Sequence, residues 1–286
     1  MADLVGQTFG KYRLIHKLGI GGLAQVYLGE NILIPQMIKA IKVFSHLSTD
    51  AAAFKREAQT LAALHHPHMI QIVDYGISAQ GIPYLVMPYQ SNGNVRQEYP
   101  SGLALGLKIV VDFIKQLADA LTYAHTRVPP IIHGNLKPQN ILIAQNNELL
   151  LSDFGSVMRL QSEPLNQVFP QSLVALVYAA PEQFPSLDRP GHASAATDQY
   201  ALGVLAYELL TSEWPFQGGE QAIKMQKLSD TLPPLRTKSP ALSFEVERVV
   251  LKALARNPLD RHTSVLDFAM ALEQASKIRH DEVMFP

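Results

Sequence analysis

The sequence predicts an α+β protein built of two lobes, a small β-rich N-terminal lobe and a larger helical C-terminal lobe. Up to about residue 90, short runs of β-branched and aromatic residues alternate with turn residues, a pattern typical of strands. Beyond that point apolar residues recur every three to four positions over longer stretches, which indicates helices. Hydrophobic residues make up 47% of the 286 residues, which is ample for a real core.

Five strands and one helix are predicted in the N-terminal lobe. The strands are expected at 12–15, 24–28, 37–44, 70–73 and 84–87, with a turn at 79–81. The helix follows the third strand: Thr49 or Asp50 can cap its start, and His66-Pro67 ends it because the residue before a proline avoids the helical conformation. Its buried face is marked by Phe54, Ala58, Leu61 and Leu64.

Four helices are predicted in the C-terminal lobe, after a short connection at 88–93. They are expected at 103–126, 196–210, 243–255 and 264–275. The second of these helices is apolar nearly all round, which implies that it is buried. Residues 156–195 contain five prolines and show no clear period, and a long irregular stretch of this kind is usually functional.

The composition argues against several classes of protein. A formal net charge of −1 gives no support for binding to nucleic acid or to an anionic membrane by bulk charge. The chain has no cysteine, and therefore no disulfides and no thiolate chemistry. No apolar run approaches the ~18–20 residues that span a bilayer, and no signal peptide is visible. We therefore expect a soluble cytoplasmic chain without a membrane segment, or the cytoplasmic part of a longer membrane-anchored protein.

A glycine cluster at 19–26, with the sequence GIGGLAQV, lies between the first two predicted strands. Glycines let the backbone approach a phosphate closely and leave amides free to bind it. The alternative is an ordinary glycine-rich hairpin turn. A strand on each side argues against a dinucleotide-binding fold, which needs a helix after the glycines.

Lys42 lies in the otherwise apolar third strand, so its ammonium group needs a partner. Glu57 on the following helix is the natural one, and such a pair would hold the ammonium group against the α- and β-phosphates of a nucleotide. A cluster formed by His65, His66 and His68 suggests a metal site. Pro67 within the cluster and the missing fourth ligand make a structural role the better interpretation.

Two further segments carry groups that suit phosphate chemistry. Residues 133–140 have the sequence HGNLKPQN, and Asp153 follows an apolar strand at 148–151 and precedes Phe154 and Gly155. A carboxylate in this position suits a divalent cation that bridges phosphates, and Asn140 supplies a second oxygen ligand.

Three charged residues farther along the chain are more informative than their neighbours. Glu182, in the sequence APE at 180–182, and Arg261 have the right types for a buried bidentate ion pair. The alternative for each is a solvated surface charge. A solvated surface charge is a poorer explanation for Asp198, because this residue begins the helix that is predicted to be buried.

Taken in order, these motifs resemble those of the protein kinase family, most closely the bacterial Ser/Thr kinases of eukaryotic type. The resemblance covers roughly residues 9–276 and runs from the glycine loop to the APE sequence. It implies the bilobal protein kinase fold, with an N-lobe at about 9–88, a hinge at about 88–93, a C-lobe at about 94–276 and a tail at 277–286.

The resemblance also implies a site for ATP and Mg²⁺. The glycines would cover the phosphates, three apolar residues would enclose the adenine, Met87 would lie at the back of the pocket, and the hinge would contribute the Pro88 carbonyl. The implied nucleotide residues are Gly19, Gly21, Gly22, Val26, Ala40, Lys42, Glu57, Met87, Pro88, Gln90 and Leu142, and the implied magnesium ligands are Asn140 and Asp153.

The chain departs from the family pattern at two positions that bear on phosphate transfer and at one that bears on regulation. Asn135 stands where the catalytic Asp is expected, and an amide cannot serve as a general base. Ala175 replaces the usual Thr, and Gly134 replaces the Arg that often reads a phosphorylated activation loop. Lys137 is retained and could neutralise charge on the γ-phosphate. Because residues 156–180 contain Ser but no Thr, we predict that activation-loop phosphorylation does not set the state of the protein.

These observations predict a pseudokinase, a domain that binds ATP and Mg²⁺ and presents a surface to an unidentified protein partner, gated by nucleotide. A weakly active Ser/Thr kinase, which transfers the γ-phosphate to protein hydroxyls, is the alternative. A positioned base typically contributes ~10²–10⁴-fold to the rate, so trace activity can survive its loss. A scaffold with an empty cleft is a third possibility, which the intact pocket residues disfavour.

Overall fold

The structure, a computed structural model, describes residues 3–21, 24–44, 51–154, 172–184, 191–229 and 232–278. An antiparallel six-stranded sheet forms the N-terminal lobe, in the spatial order β1-β2-β3-β4-β6-β5. The strands are β1 (Thr8–Phe9), β2 (Tyr12–Ile20), β3 (Ala24–Asn31), β4 (Ile38–Phe44), β5 (Asp74–Ile77) and β6 (Pro83–Pro88). Helix α1 (Ala51–Ala62) packs Phe54 and Ala58 against Leu85 of the sheet.

The C-terminal lobe is mainly helical and also contains a short antiparallel hairpin. The hairpin pairs β7 (Ile141–Ile143) with β8 (Leu149–Leu151). The helices are α2 (Val95–Glu98), α3 (Leu107–His125), α4 (Leu173–Tyr178), α5 (Ala195–Thr211), α6 (Glu220–Leu228), α7 (Phe244–Ala253) and α8 (Val265–Ser276), with 3-10 turns at Pro138–Asn140, Pro181–Gln183, Leu235–Thr237 and Pro258–Asp260.

Helix α5 forms the centre of the larger core. Fifteen of its 17 residues are buried, including the polar side chains of Asp198, Gln199 and Glu208. Helices α3, α7 and α8 pack around it, and Gly203 allows the closest approach, to the end of α7. The prediction of a helix buried nearly all round is therefore confirmed. Each of these three polar side chains has hydrogen-bond partners outside the helix.

The predicted strand at 70–73 is wrong, and the true edge strand β5 begins at Asp74. Residues 69–73 are extended, but their backbone hydrogen bonds are divided between the two lobes. The Ile70 N–H donates to the Leu151 carbonyl in the hairpin at 2.8 Å, whereas the Val73 N–H donates to the Val86 carbonyl in the sheet at 2.9 Å. A β-branched run predicts extended backbone but not which sheet receives its hydrogen bonds.

Two helix boundaries also differ from the prediction. Helix α1 ends at Ala62, four residues before His66, so Leu64 is buried outside the helix. Helix α3 begins at Leu107 rather than at 103, because Gly106 has extended dihedral angles and the Leu105 N–H bonds to the Leu209 carbonyl on α5. Apart from their exact ends, the strands at 12–15, 24–28, 37–44 and 84–87 and the helices at 243–255 and 264–275 are confirmed.

Residues 156–195 are less irregular than predicted, because the part that the structure describes contains helix α4 and the turn at Pro181–Gln183. Helices α2 and α6 were not predicted. The expected caps Thr49 and Asp50, the glycines Gly22 and Gly155, and residues 156–171 and 279–286 lie outside the described residues. No helix among the described residues is long and apolar enough to cross a membrane.

We expect Gly203→Val to destabilise the fold. A Cβ atom at this position would lie 3.0 Å from Ala253 Cβ and 3.1 Å from Leu254 Cδ2, so the larger side chain must push α7 away from α5. Overpacking of this kind reduces the free energy of unfolding by about 1–3 kcal/mol, measurable by urea denaturation. Gly219→Ser is the control, because that position is an open helix N-cap where serine is favoured. Equal stability of the two variants would contradict the prediction.

Candidate functional site

One face of the N-terminal sheet brings four of the predicted site residues together. In the register of β3 and β4, Val26 is opposite Lys42, and in the register of β4 and β6, Ala40 is opposite Met87. Residues directly opposite each other, and residues two apart along a strand, have side chains on the same face of a sheet. Val26, Ala40, Lys42 and Met87 therefore line one surface.

The glycine-rich turn closes one end of this surface. Gly19 lies near the end of β2, and the Gly21 N–H donates to the Ala24 carbonyl at 2.8 Å as the chain turns into β3. A Cβ atom added at Gly19 would meet no heavy atom within 4 Å, so the chain leaves open space there. Gly22 lies outside the described residues.

The connection at 88–93 joins the sheet to the C-terminal lobe. Pro88 pairs with Lys39 at the end of β6, and the Gly93 N–H donates to the Gln90 carbonyl at 3.3 Å. Beyond the connection, Asn94 forms an isolated antiparallel bridge with Leu142 of β7. This bridge places Leu142 beside the connection.

Lys42 forms its ion pair with Asp153 rather than with the expected partner Glu57. Lys42 Nζ lies 2.7 Å from Asp153 Oδ1, and the two side chains are 16% and 29% exposed. Asp153 has a left-handed φ of +65°, which a non-glycine residue adopts only when its surroundings hold it there. Burial on its own would raise the pKa of the Asp153 carboxyl, but the charge and hydrogen bond of Lys42, with a smaller effect from Lys137, lower it below its ordinary value.

Asp198, near the start of α5, holds the loop at 133–140 in place. The fully buried Asp198 carboxylate accepts hydrogen bonds from the His133 N–H at 2.8 Å and the Gly134 N–H at 2.7 Å, and it also contacts His125 Nε2 at 2.8 Å. Gly134 has a φ of +67°, a conformation that glycine adopts without strain.

His133 is completely buried and connects the loop to the end of β8. Its Nε2 atom is 2.9 Å from the Ser152 carbonyl, and its Nδ1 atom accepts the Asn135 N–H at 3.3 Å. The ring also packs edge-on against Phe154 at a centroid distance of 4.7 Å. Burial lowers the pKa of His133, so the ring is neutral and serves as a structural donor and acceptor.

Asn135 and Asn140 close the loop on itself. Asn140 Nδ2 donates to the Asn135 carbonyl at 2.8 Å, and the Ser152 N–H and hydroxyl both donate to the Asn140 carbonyl. Because Ser152 precedes Asp153, these bonds bring the two predicted metal ligands next to each other. Because the Asn140 amide nitrogen already donates a hydrogen bond, the side-chain oxygen of Asn140 is the atom that remains able to bind a cation.

Lys137 shares the electrostatic environment of Lys42 and Asp153. Burial lowers the pKa of its ammonium group, Asp153 raises it and Lys42 lowers it further, with a net reduction. Position 135, which the resemblance assigns to a carboxylate, offers only an amide. The cleft therefore contains two lysines near a single described carboxylate, an arrangement that favours a polyanionic ligand.

Residues 172–184, here called the 172–184 segment, run alongside the loop. Arg261 binds Glu182 in a buried bidentate ion pair, with both N–O distances 2.8 Å, so the predicted pair is confirmed. Gln183 Nε2 donates to the Gly134 carbonyl at 3.0 Å. Ala175 is buried within α4, and its N–H donates to the Ser172 hydroxyl at 3.2 Å.

Comparison with known proteins identifies the family. A family model described as "Protein kinase domain" matches residues 12–276. The chain belongs to the protein kinase family. Its fold agrees with this, because it superposes on the crystal structure of Rad53 residues 1–466 in complex with AMP-PNP with a TM-score of 0.74. That match has 24% identity and covers 91% of this chain and 64% of the other.

Several relatives are bacterial Ser/Thr protein kinases. PknF of Mycobacterium tuberculosis is 35% identical over 93% of this kinase domain, PrkC of Bacillus subtilis 31% over 95%, and the probable kinase PknB of Lactococcus lactis 32% over 91%. The chain spans 56%, 42% and 41% of the length of these relatives, respectively. It is therefore similar to the kinase portion of longer proteins.

The kinase domain contains a small cavity of about 30 Å³ that Lys42, Asp153 and a set of apolar side chains line, and the sequence did not reveal it. Its lining comes from α1, from the divided run at 69–73, from β6 and from Phe154. The residues concerned include Leu61, Leu64, Met69, Ile72, Leu85 and Met87. They are far apart in the sequence, so no local pattern could have indicated the cavity.

The histidines at 65–68 have structural contacts. His66 Nε2 lies 3.3 Å from Asp119, His68 Nδ1 lies 3.1 Å from the Leu149 carbonyl, and His65 contacts Gln71 at 2.8 Å. No group of three or more potential metal-binding side chains of His, Cys, Asp or Glu occurs in the part of the chain that the structure describes.

Two buried polar groups, one in the 172–184 segment and one that contacts it, escaped the sequence analysis. The Tyr178 hydroxyl bonds to Glu208, which also pairs with Arg96 of α2 at 2.7 Å. Lys227 of α6 reaches the carbonyls at the end of α4. The position of Lys227 four residues after the buried Ile223 was the available signal, because residues at that spacing share a helix face.

The Lys42–Asp153 pair predicts a pH dependence. Because the pKa of Asp153 is lowered in the folded state, the pair contributes stability above the ordinary carboxyl value of 3.8, and this contribution is lost as the pH falls through the lowered pKa. In Lys42→Met the burial that raises the pKa of Asp153 is less fully offset, so the variant protonates this carboxyl at a higher pH than the wild type does. We expect the free energy of unfolding of Lys42→Met to fall furthest below that of the wild type at pH 7, and we expect this difference to shrink towards pH 4.

Urea denaturation at several pH values measures this dependence. Lys39→Met is the matched control, because Lys39 lies on the same strand and Asp153 is not its partner. A stability difference between Lys42→Met and wild type that stays constant from pH 7 to pH 4 would show that the ion pair does not control the titration of Asp153.

Proposed function

We propose that this kinase domain binds ATP and Mg²⁺ but lacks effective phosphotransfer, and acts as a nucleotide-gated module for a protein partner. The observation that carries the proposal is the pairing of an intact cleft with an amide at position 135. Lys42, Asn140 and Asp153 come together at the junction of the two lobes. Asn135 holds the place of the base in a loop whose backbone is otherwise fully organised.

The sheet face and the connection support adenine binding. Val26 and Ala40 from the sheet and Leu142 from the hairpin supply apolar contacts, with Met87 at the back. Pro88 has no N–H, but its carbonyl remains available to accept from the adenine amino group. Gly19 and Gly21, together with Gly22, would cover the phosphates, which Lys42 and Lys137 would contact.

Asn140 and Asp153 fit a magnesium ion, because Mg²⁺ prefers oxygen ligands and one or two protein groups beside phosphate oxygens. When bound, the ion would neutralise charge on the β- and γ-phosphates. The protein's contribution is to hold the two oxygen donors side by side. It does so through the Ser152 hydrogen bonds to the Asn140 carbonyl.

With an amide at position 135, the chain lacks the group that would accept the proton in the transfer reaction. In an active kinase the attacking hydroxyl gives its proton to the catalytic Asp. An Asn side chain can orient that hydroxyl by a hydrogen bond, but it takes up no proton at neutral pH. Positioning and electrostatics would remain, because Lys137 and the metal ligands are retained.

Exchange of the Lys42–Asp153 pair is the proposed gate. In the structure, the pair joins β4 of the N-terminal lobe to Asp153, two residues after β8 of the C-terminal lobe. With ATP and Mg²⁺, the phosphates compete for Lys42 and the metal competes for Asp153. The direct link between the lobes would then be replaced by a link through the ligand. A partner that contacts both lobes would sense the difference.

Nucleotide binding can be measured by calorimetric titration and by thermal unfolding. We expect ATP with Mg²⁺ to raise the melting temperature by several degrees, since saturation at 100 times Kd contributes about 2.7 kcal/mol. Lys42→Met should weaken this effect at least tenfold in affinity, because it removes the phosphate contact. Lys39→Met should behave like the wild type. No heat and no shift at millimolar ATP would rule out the nucleotide part of the proposal.

A weakly active Ser/Thr kinase is the second candidate, favoured by the retained Lys137 and by the relatives, which are named as Ser/Thr kinases. Asn135→Asp distinguishes the two. If only the base is missing, the variant should gain ~10²–10⁴-fold in phosphate transfer from labelled ATP to itself or to a generic substrate. Asn135→Ala is the control. Transfer by the wild type at a rate equal to that of Asn135→Asp would refute the pseudokinase assignment.

A further inference from the structure

Lys227 is a buried lysine that has no carboxylate in hydrogen-bond contact among the described residues. The residue is only 2% exposed, and its Nζ atom lies 2.7 Å from the Val177 carbonyl and 2.8 Å from the Ala179 carbonyl. A third contact, at 3.3 Å, joins Nζ to the Tyr200 hydroxyl. The side chain therefore extends from α6 to two backbone carbonyls of the 172–184 segment.

Two aromatic rings lie close to the same nitrogen. Tyr200 and Phe216 stack nearly parallel, 10° apart, with centroids 6.5 Å from each other. Lys227 Nζ lies 4.7 Å from the first centroid and 4.3 Å from the second, within cation–π distance of both rings. Aromatic faces attract a cation, and this attraction partly replaces the water that Lys227 has lost. The site is built for this nitrogen.

Nearby charges do not explain why a lysine is buried here. Glu182 is the nearby carboxylate, and it is already held by both guanidinium nitrogens of Arg261. Burial lowers the pKa of Lys227 well below its usual range. An apolar side chain of similar size would fill the space without this penalty. What only an amine or ammonium group supplies is the pair of N–H donors for the two carbonyls.

Those carbonyls belong to a short element that has little stability of its own. Helix α4 has six residues, too few to persist without tertiary contacts. The Val177 carbonyl lies in its last turn, where no intrahelical donor is available, and Ala179 follows the helix. Both residues are buried, so an unpaired carbonyl at either would be unfavourable.

From this geometry we propose that Lys227 is the positioning residue that holds residues 173–179 in one conformation in the unmodified chain. The segment lies next to Ala180, Pro181 and Glu182 and is joined through Gln183 to the loop at Gly134. In other proteins a phosphorylated residue that pairs with an arginine orders a segment of this kind. Lys227 would order it from within the fold. The inference does not depend on nucleotide binding.

Hydrogen exchange followed by mass spectrometry tests the proposal on phosphatase-treated protein without nucleotide. In Lys227→Met we expect amide protection to fall at least tenfold in peptides covering 173–180, with little change elsewhere and a melting temperature within a few degrees of wild type. Lys224→Met is the matched control, since Lys224 is on the same helix and pairs with the exposed Glu220. It should leave the exchange of 173–180 unchanged.

A graded variant separates positioning from simple filling of the core. Lys227→Gln keeps two N–H donors on a shorter side chain, so it should recover part of the protection that Lys227→Met loses. Unchanged protection of 173–180 in Lys227→Met would overturn the proposal. If the Met variant does not fold, the Gln variant decides alone. In whichever variant decides, loss of protection confined to 173–180 supports positioning, whereas no loss or loss across the C-terminal lobe overturns it.

Discussion

The carboxylate of Asp198, buried near the start of α5, accepts two backbone N–H groups of the loop at 133–140 and contacts the ring of His125. A charge this deeply buried is tolerable because its oxygens are satisfied and because the positive end of the helix dipole lies beside it. The positions of His133, Asn135 and Asn140 all follow from this anchor. The rest of the cleft is built on the resulting backbone: His133 supports Ser152, and Ser152 positions Asp153 beside Asn140.

A second network of buried charged and aromatic side chains positions the 172–184 segment in the C-terminal lobe. The Arg261 guanidinium group lies over the Tyr200 ring while it binds Glu182, and the same ring contacts Lys227. Helix α5 thus contributes Asp198 to the loop and Tyr200, two residues later, to the 172–184 segment. One almost entirely buried helix therefore positions both the loop at 133–140 and the 172–184 segment.

Much of the fold and part of the site could be predicted from the sequence. The β-branched runs, the all-round apolar helix and the Glu182–Arg261 pair were identified from residue type and spacing, and they are present. The partner of Lys42 was not, because choosing between Glu57 and Asp153 depends on how two lobes meet rather than on any local pattern. Lys227 was missed because a charged residue on a short amphipathic helix normally faces solvent.

The divided run at 69–73 has a mechanical consequence for the whole domain. Its first half is clipped to the hairpin through Met69 and Ile70, and its second half to the sheet through Val73. Beside the covalent connection at 88–93, it therefore gives the lobes a second link, made of backbone hydrogen bonds. Two separate links restrain sliding of one lobe past the other, and the Lys42–Asp153 ion pair adds a third contact between them.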